Sequence, residues 1–203
     1  MIEKTSVILA DDHSLMRAAI ASLLENNGYE VIAQASSYPE LEQVFQTHSA
    51  DILISDCRME GKGPLNFLKF VRRFHKDCQI IFLTGLESGI LFQQLLSAGA
   101  HGLVSKKGEV NDVLSAIEKV KKDEIYVSKG FLKEIDSTTS LTVTEYQVLE
   151  LVVQGLSNNQ LADQLNKAPG TINSHRVNIM RKLNVHSIVE LIHFCRKNGL
   201  YDC

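Results

Sequence analysis

Val7-Ile8-Leu9-Ala10-Asp11-Asp12 decides the fold: four apolar residues in an unbroken run, then two carboxylates. An unbroken apolar run of this length suits a strand buried on both faces. The pattern recurs at Val31-Ile32-Ala33, Ile52-Leu53-Ile54, Ile80-Ile81-Phe82-Leu83 and Leu103-Val104. Between these candidate strands lie helical-period segments at about 14–26, 39–47, 64–75, 88–98 and 110–122. Strand alternating with helix predicts an α/β doubly wound five-stranded parallel sheet over residues 1–122, with helices on both faces.

Four of the five strands end in something polar: Asp11-Asp12, Asp56, Thr84 and Ser105-Lys106. The carboxyl ends of parallel strands open on one crevice, so these distant residues are expected to converge. Asp11, Asp12 and Asp56 would then crowd three negative charges together, a costly arrangement that a hard divalent cation relieves. Mg2+ suits the pocket, because it takes oxygen ligands and commonly combines one or two carboxylates with substrate phosphate. Lys106 would supply a second positive charge for a phosphoryl group, Thr84 a hydroxyl for one of its oxygens, and Asp56 a central acceptor. A single Asp after a strand is ordinarily a turn residue or cap, and a single Lys is ordinarily solvated. Their joint placement after strands one, three, four and five is what points to a site.

The apolar period fades from about residue 123, and Asp136-Ser137-Thr138-Thr139-Ser140 suits an exposed linker, so 123–140 is read as the connection to a second domain at 141–203. Leu141-Thr142-Val143-Thr144-Glu145-Tyr146 carries a capping box, Thr142 with Glu145, and a hydrophobic staple from Leu141 to Tyr146. Ser157 with Gln160 repeats the box for a second helix bearing Leu161, Ala162 and Leu165. Pro169 opens a third helix to about Leu183, and a fourth runs from Ser187 to Lys197, ending near Gly199. The third helix groups Ile172, His175, Ile179 and Leu183 on one side, and Asn173, Ser174, Val177, Asn178 and Arg181 on the other. That outer face has major-groove chemistry: Asn for adenine edges, a Val methyl for thymine, Arg and Lys for phosphates. Arg176 lies toward the buried side and is expected to reach outward to phosphate. An amphipathic helix with a merely solvated face is the plainer alternative.

Composition sets the outer bounds. The 203 residues exceed the usual single-domain size, and 44% hydrophobic with 22% charged residues is an ordinary globular balance. No stretch approaches the roughly 20 apolar residues of a membrane span. The start, Met1-Ile2-Glu3-Lys4-Thr5, lacks the secretory pattern, which gives the expectation of a cytoplasmic protein. Cys57, Cys78, Cys195 and Cys203 are scattered, signalling neither zinc nor a disulfide framework. The net charge of −3 is small, but Lys167, Arg176, Arg181 and Lys182 fall in a stretch free of acidic side chains, a candidate anion-facing surface.

Residues 1–122 resemble the flavodoxin-like receiver domains of two-component response regulators. The resemblance implies Asp56 as phosphoacceptor, Asp11 and Asp12 holding Mg2+ together with Asp56 and the Arg58 backbone carbonyl, and Thr84 and Lys106 engaging the phosphate. Gly85 matches the small residue usual after the Thr. Two positions depart from the pattern. Leu103 stands where Tyr or Phe usually swings inward as the Thr moves, so the Thr84–Leu103 switch is expected to be altered. Glu60 stands where Pro is common.

Residues 141–200 resemble the LuxR-type four-helix helix-turn-helix module of NarL/FixJ regulators, through LTxxE at 141–145, GLSNNQLA at 155–162, TINSHRxNIMRKL at 171–183 and VHSIVEL at 185–191. By that resemblance Ser157 and Asn158 begin the helix that crosses the DNA backbone. The reading helix presents Asn173, Ser174, Arg176, Val177, Asn178, Arg181 and Lys182, while Ile188, Leu191 and Ile192 serve either a dimer interface or the core. Asn173 replaces a common Lys, Ala168 a Ser cap, and Gly170 weakens the first turn by up to about 1 kcal/mol relative to Ala.

The implied function is a response regulator in which a histidine kinase or phosphotransfer protein phosphorylates Asp56 and so controls dimerisation and sequence-specific DNA binding. It would act as a homodimer on promoter DNA, with RNA polymerase a further partner. It is not an enzyme in the ordinary sense, beyond catalysing its own phosphoryl transfer and dephosphorylation. Leu103 and Glu60 motivate an alternative, a constitutive DNA-binding regulator with a phosphorylation-independent receiver. An acidic-pocket phosphohydrolase is disfavoured because Asp56-Cys57-Arg58 lacks a second Asp two residues after the first. A nucleotide sensor has no Gly-rich phosphate loop to support it.

Overall fold

The structure is a computed structural model and describes residues 4–85, 88–132 and 141–197. Met1–Gly85 with Leu95–Leu132 form one compact unit, and Leu86–Gln94 with Lys133–Cys203 the other. The polar stretch 136–140, Gly199 and Cys203 lie outside the described residues.

The first part of the chain alternates β1 (Ser6–Ala10), α1 (Ser14–Asn26), β2 (Glu30–Ala35), α2 (Tyr38–Thr47), β3 (Ile52–Asp56), α3 (Pro64–Phe74), β4 (Gln79–Thr84), α4 (Gly89–Ser97), β5 (Gly102–Ser105), α5 (Asn111–Val120) and β6 (Tyr126–Val127). The strands form one parallel sheet in the order β2-β1-β3-β4-β5-β6. Strand side chains alternate between faces. Val7, Leu9, Ile52, Ile54, Ile81, Leu83 and Val104 pack on one side with Ile20 and Leu24 of α1 and Val113, Ala116, Ile117 and Val120 of α5. The intervening Ile8, Leu53, Phe82 and Leu103 are equally buried and face the other way. Burial on both faces is why these strands lack polar alternation.

The sixth strand departs from the five expected. Tyr126 pairs with Gly102 and Val127 with Leu103, and the Tyr126 and Ser128 amides donate to the carbonyls of His101 and Leu103 at 2.9 Å each. A two-residue strand has no period to detect, so the sequence shows only a polar run around it. Phe131 is also buried, so the front of the stretch read as linker is packed structure.

The second unit holds α6 (Val143–Val153), α7 (Asn158–Leu165), α8 (Pro169–Lys182) and α9 (Ile188–Lys197). Both expected capping boxes are present, Thr142 with Glu145 and Ser157 with Gln160. Ala168, by contrast, caps α8 with no side-chain hydrogen bond. Asn166 and Asn184 adopt left-handed backbone at φ 50° and 52°, ending α7 and following α8, a conformation that Asn tolerates better than most residues. Val148, Leu149, Val152, Leu161, Ala162, Ile172, Ile179, Leu191 and Cys195 are buried.

Candidate functional site

Register assembles the crevice. Ala10 pairs with Ser55, Asp56 with Leu83 and Thr84 with Ser105, so the four central strands end level with one another. Asp11 follows β1, Asp56 closes β3, Thr84 closes β4 and Lys106 follows β5. The Asp11, Asp56 and Thr84 residues are 0%, 2% and 0% exposed, whereas Asp12 is exposed. Lys106 Nζ lies 2.7 Å from Asp11 Oδ2 and 2.5 Å from Asp56 Oδ2. The Arg58 amide donates to Asp56 Oδ1 at 3.0 Å, and the Thr84 hydroxyl pairs with the Cys57 thiol.

Charge in this pocket is finely opposed. Burial pushes the Asp56 carboxyl above its ordinary range, against the pull of the Lys106 ammonium and the Arg58 amide, while Asp11 adds to the rise. For Lys106 burial works downward, but hydrogen bonds to Asp11 and Asp56 outweigh it and raise the ammonium above its usual value. A buried charge without a partner would be far costlier, so Lys106 neutralises a site built from carboxylates.

Four supports had no clear signature in the sequence. Tyr38 is 1% exposed, and its hydroxyl donates to the carbonyls of Asp56 at 2.9 Å and Cys57 at 3.2 Å. Its own amide donates to the Glu60 carbonyl at 2.9 Å, a contact that a proline at position 60 would retain. Next to it Gly61 has φ +125°, and a Cβ there would lie 2.9 Å from Tyr38 and Pro39 atoms, so only glycine fits the turn. Arg17 donates through its guanidinium to the Asp11 carbonyl. His13, the N-cap of α1, sends its amide to Asp11 Oδ1 at 2.9 Å.

Asp11, Asp12, His13 and Asp56 each offer one ligand atom, all within 4.8 Å of one another. Asp11 Oδ2 is buried and paired with the Lys106 ammonium at 2.7 Å. A convergent set of carboxylate oxygens fits a hard divalent cation such as Mg2+. A separate cleft of about 650 Å3 at the amino ends of the strands includes Lys4, Ser6, Asp51 and Lys121 in its lining. Ser6 and Asp51 there hydrogen-bond each other.

In the second unit, Asn173, Ser174, Val177 and Arg181 are exposed along α8 and Asn178 is half-buried, while Ile172 and Ile179 are fully buried. The outward face is the one the helical period gave. Two basic residues are placed otherwise than expected. Arg176 donates through its guanidinium to Asn158 Oδ1, so it ties α8 to the start of α7. Lys182 Nζ lies 2.7 Å from Glu145 Oε2 and thus anchors α8 to the capping box of α6. Among the outward-facing residues, Arg181 reaches Asn178 only at 3.4 Å. Leu191 is 0% exposed and belongs to the core, Ile188 and Ile192 are half-buried, and Val189 is 76% exposed.

Comparison with known proteins matches residues 7–118 to the response regulator receiver domain and residues 139–195 to the luxR family of bacterial regulatory proteins. The response regulator UvrY of Escherichia coli strain K12 is 31% identical over 96% of this chain and 95% of its own length. The nitrate/nitrite response regulator protein homolog of Haemophilus influenzae is 36% identical over 93% of this chain and 95% of its own. Among solved structures, RcsB from Salmonella enterica serovar Typhimurium, bound to promoter rprA in the presence of phosphomimetic BeF3−, aligns with a TM-score of 0.75. Its sequence is 25% identical, over 95% of this chain and 98% of that one.

Proposed function

Because this chain belongs to the two-component response regulators that join a receiver to a LuxR-type DNA-binding domain, we propose that phosphorylation of Asp56 controls how its α8 face engages DNA. The supporting observation is the level ending of β1, β3, β4 and β5, which gathers Asp11, Asp56, Thr84 and Lys106 around one point. Asp11, Asp12 and Asp56, with the Arg58 carbonyl, would hold Mg2+, which would offset the negative charge of the phosphoryl oxygens.

An Asp56 carboxylate oxygen attacks phosphorus, the bond to the donor's imidazole breaks, and an acyl phosphate remains on Asp56. Lys106 keeps Asp56 ionised before attack and is placed to pair with a phosphoryl oxygen afterwards. Thr84, at the end of the neighbouring strand, offers its hydroxyl to another oxygen. Hydrolysis of the acyl phosphate in the same pocket resets the protein. Nearly two added negative charges redistribute receiver conformations and favour a homodimer on DNA. The donor is a sensor histidine kinase or phosphotransfer protein, the site of action is the cytoplasm, and the bound dimer meets RNA polymerase at the promoter.

On DNA, Asn173, Ser174, Val177 and Asn178 face the bases and Arg181 the phosphates, with Ser157 at the start of α7. Asn158, Arg176 and Lys182 shape this surface from behind. A receiver kept only as a scaffold is not favoured, because the whole acidic, hydroxyl and ammonium set converges.

Intact mass after incubation with Mg2+ and acetyl phosphate tests the proposal. Wild type should gain one phosphoryl group, about 80 Da, and Asp56→Ala none; DNA affinity should then rise with phosphate only in wild type. An equal adduct in both proteins, or DNA binding indifferent to phosphate, refutes it.

A further inference from the structure

Lys106, the cation of the acidic pocket, follows a strand of 4 residues, Gly102–Ser105. On the inner side of that strand the Lys106 amide donates to the Thr84 carbonyl at 2.9 Å. On the outer side lies β6, which ends at Val127 in register with Leu103. The next amide, that of Ser128, still donates to the Leu103 carbonyl at 2.9 Å. A regular parallel ladder would continue with the Ser128 carbonyl accepting from the Ser105 amide.

That carbonyl is engaged elsewhere. The chain turns at Ser128, whose carbonyl accepts the Phe131 amide at 2.8 Å, and Phe131 is buried. The Ser128 side chain takes the place in the ladder instead, its hydroxyl oxygen accepting the Ser105 amide at 3.1 Å. At 4% exposure Ser128 is shielded from water, and a buried amide that loses its acceptor is costly. Ser105 in turn carries the turn that contains Lys106: its Oγ accepts the Lys107 amide at 3.2 Å and its carbonyl the Gly108 amide at 3.1 Å.

A lysine side chain is a flexible stem, so its aim depends on where its backbone starts. We propose that Ser128 is a positioning residue for phosphoryl transfer at Asp56: its hydroxyl, acting through the Ser105 amide, fixes the backbone from which Lys106 reaches Asp11 and Asp56. The inference rests on the function proposed above, and it extends the machinery of that site into the stretch after α5 that the sequence alone assigns to a linker. A misplacement of about 1 Å can cost a reaction about 100-fold in rate.

The test follows phosphorylation of the full chain by acetyl phosphate with Mg2+, for wild type, Ser128→Ala, Ser128→Cys, Ser128→Thr and Ser6→Ala. At saturating donor and Mg2+ the rate should fall about tenfold in Ser128→Ala, for a displacement of part of an ångström. Ser128→Thr keeps the hydroxyl and should restore it. Ser128→Cys, close in shape but a weak acceptor, should show the same loss and carries the comparison if Ala disturbs the fold. Mg2+ affinity should not weaken in Ser128→Ala, because Lys106 is not among the ligands of the cation. Ser6→Ala is the structural control. The Ser6 hydroxyl donates to Asp51 Oδ2 at 2.7 Å and accepts the Asp51 amide at 3.0 Å, at the amino end of the sheet. Its loss should lower the Tm of the receiver and leave the phosphorylation rate unchanged.

Wild-type rates in Ser128→Ala and Ser128→Cys, a loss that Ser128→Thr does not restore, or an equal loss in Ser6→Ala overturns the positioning role while leaving phosphorylation of Asp56 standing. Absence of any adduct in wild type would instead overturn the proposed function, and the positioning role with it.

Discussion

Replacing Lys182 by Met separates a structural role from a DNA-contacting one. Lys182 Nζ lies 2.7 Å from Glu145 Oε2, with side chains 28% and 6% exposed. Glu145 Oε2 also accepts the Thr142 amide at 2.8 Å and the Thr142 hydroxyl at 3.0 Å, and both donors survive the substitution. Breaking a fully buried pair costs about 3–5 kcal/mol and an exposed pair about 0–1. Partial exposure of the lysine and the retained donors place this case near 2 kcal/mol. For a unit of this size each kcal/mol moves Tm by about 4–8 °C, so a fall of about 8–16 °C in the second unit follows. Hydrogen exchange of the α6 and α8 amides locates the loss, and calorimetry measures it.

The same pair makes stability depend on pH. Burial raises the Glu145 carboxyl, but hydrogen bonds from Lys182 and Thr142 outweigh it and hold the group below its ordinary 4.5. The contribution is thus full above that value and is lost as pH falls through the depressed folded-state value; Lys182→Met should flatten this acid limb. DNA binding gives the opposite signature if Lys182 instead neutralises a phosphate. The slope of log affinity against log salt would then shrink by about 0.9, with hydrogen exchange unchanged, and that result refutes the structural assignment.

Other consequences follow from single groups. Tyr38→Phe leaves the Asp56 and Cys57 carbonyls without the buried hydroxyl and should cost the receiver about 1–3 kcal/mol, read by urea denaturation. His101 Nδ1 accepts the Ile80 amide at 2.9 Å and faces Arg72 NH2 at 3.1 Å; burial first, then Arg72, holds its protonation below the ordinary 6.5, against a smaller upward pull from Asp123. Receiver stability should therefore be full above about pH 6.5 and decline below it, down to the depressed folded-state value; His101→Asn should abolish that limb in a pH series of denaturation curves. Gly170 has nothing within 4 Å of where a Cβ would stand, so Gly170→Ala should stabilise α8 by up to about 1 kcal/mol, seen as slower amide exchange in its first turn.

Much of this was legible in the residues because it depends on local pattern. Unbroken apolar runs such as Val7–Ala10 mark strands covered on both faces, and a polar residue after each marks the carboxyl end. Parallel topology then does the assembling, since it sends Asp11, Asp56, Thr84 and Lys106 to one edge whatever their separation in the chain. Capping boxes at Thr142 and Ser157 were equally local. What escaped was set by partners far away or by elements too short to have a period. Lys182 looked like a phosphate contact until its partner, 37 residues earlier, was placed beside it. Arg176 looked outward-reaching, yet its acceptor Asn158 lies 18 residues back. Tyr38 stands just ahead of the helical segment read at 39–47, and nothing in its neighbours says that its hydroxyl supports the loop after Asp56.

Leu103 shows where packing decides what a motif leaves open. It is 0% exposed and pairs in register with Phe82 on β4, so both side chains point to the same face as Thr84, two residues beyond Phe82. An aliphatic chain already seated there has no inward journey to make. At the ends of β4 and β5 the Lys106 amide donates to the Thr84 carbonyl at 2.9 Å, tying the two strands together beside it. Leu103→Ala measures how firmly the side chain is seated. A permanently buried leucine costs about 2–5 kcal/mol when truncated, whereas one that divides its time between core and solvent contributes less to the folded state. Urea denaturation of the receiver should show the full loss. A cost below about 1 kcal/mol would mean that Leu103 swings as an aromatic residue would, since surface-like substitutions fall in that range.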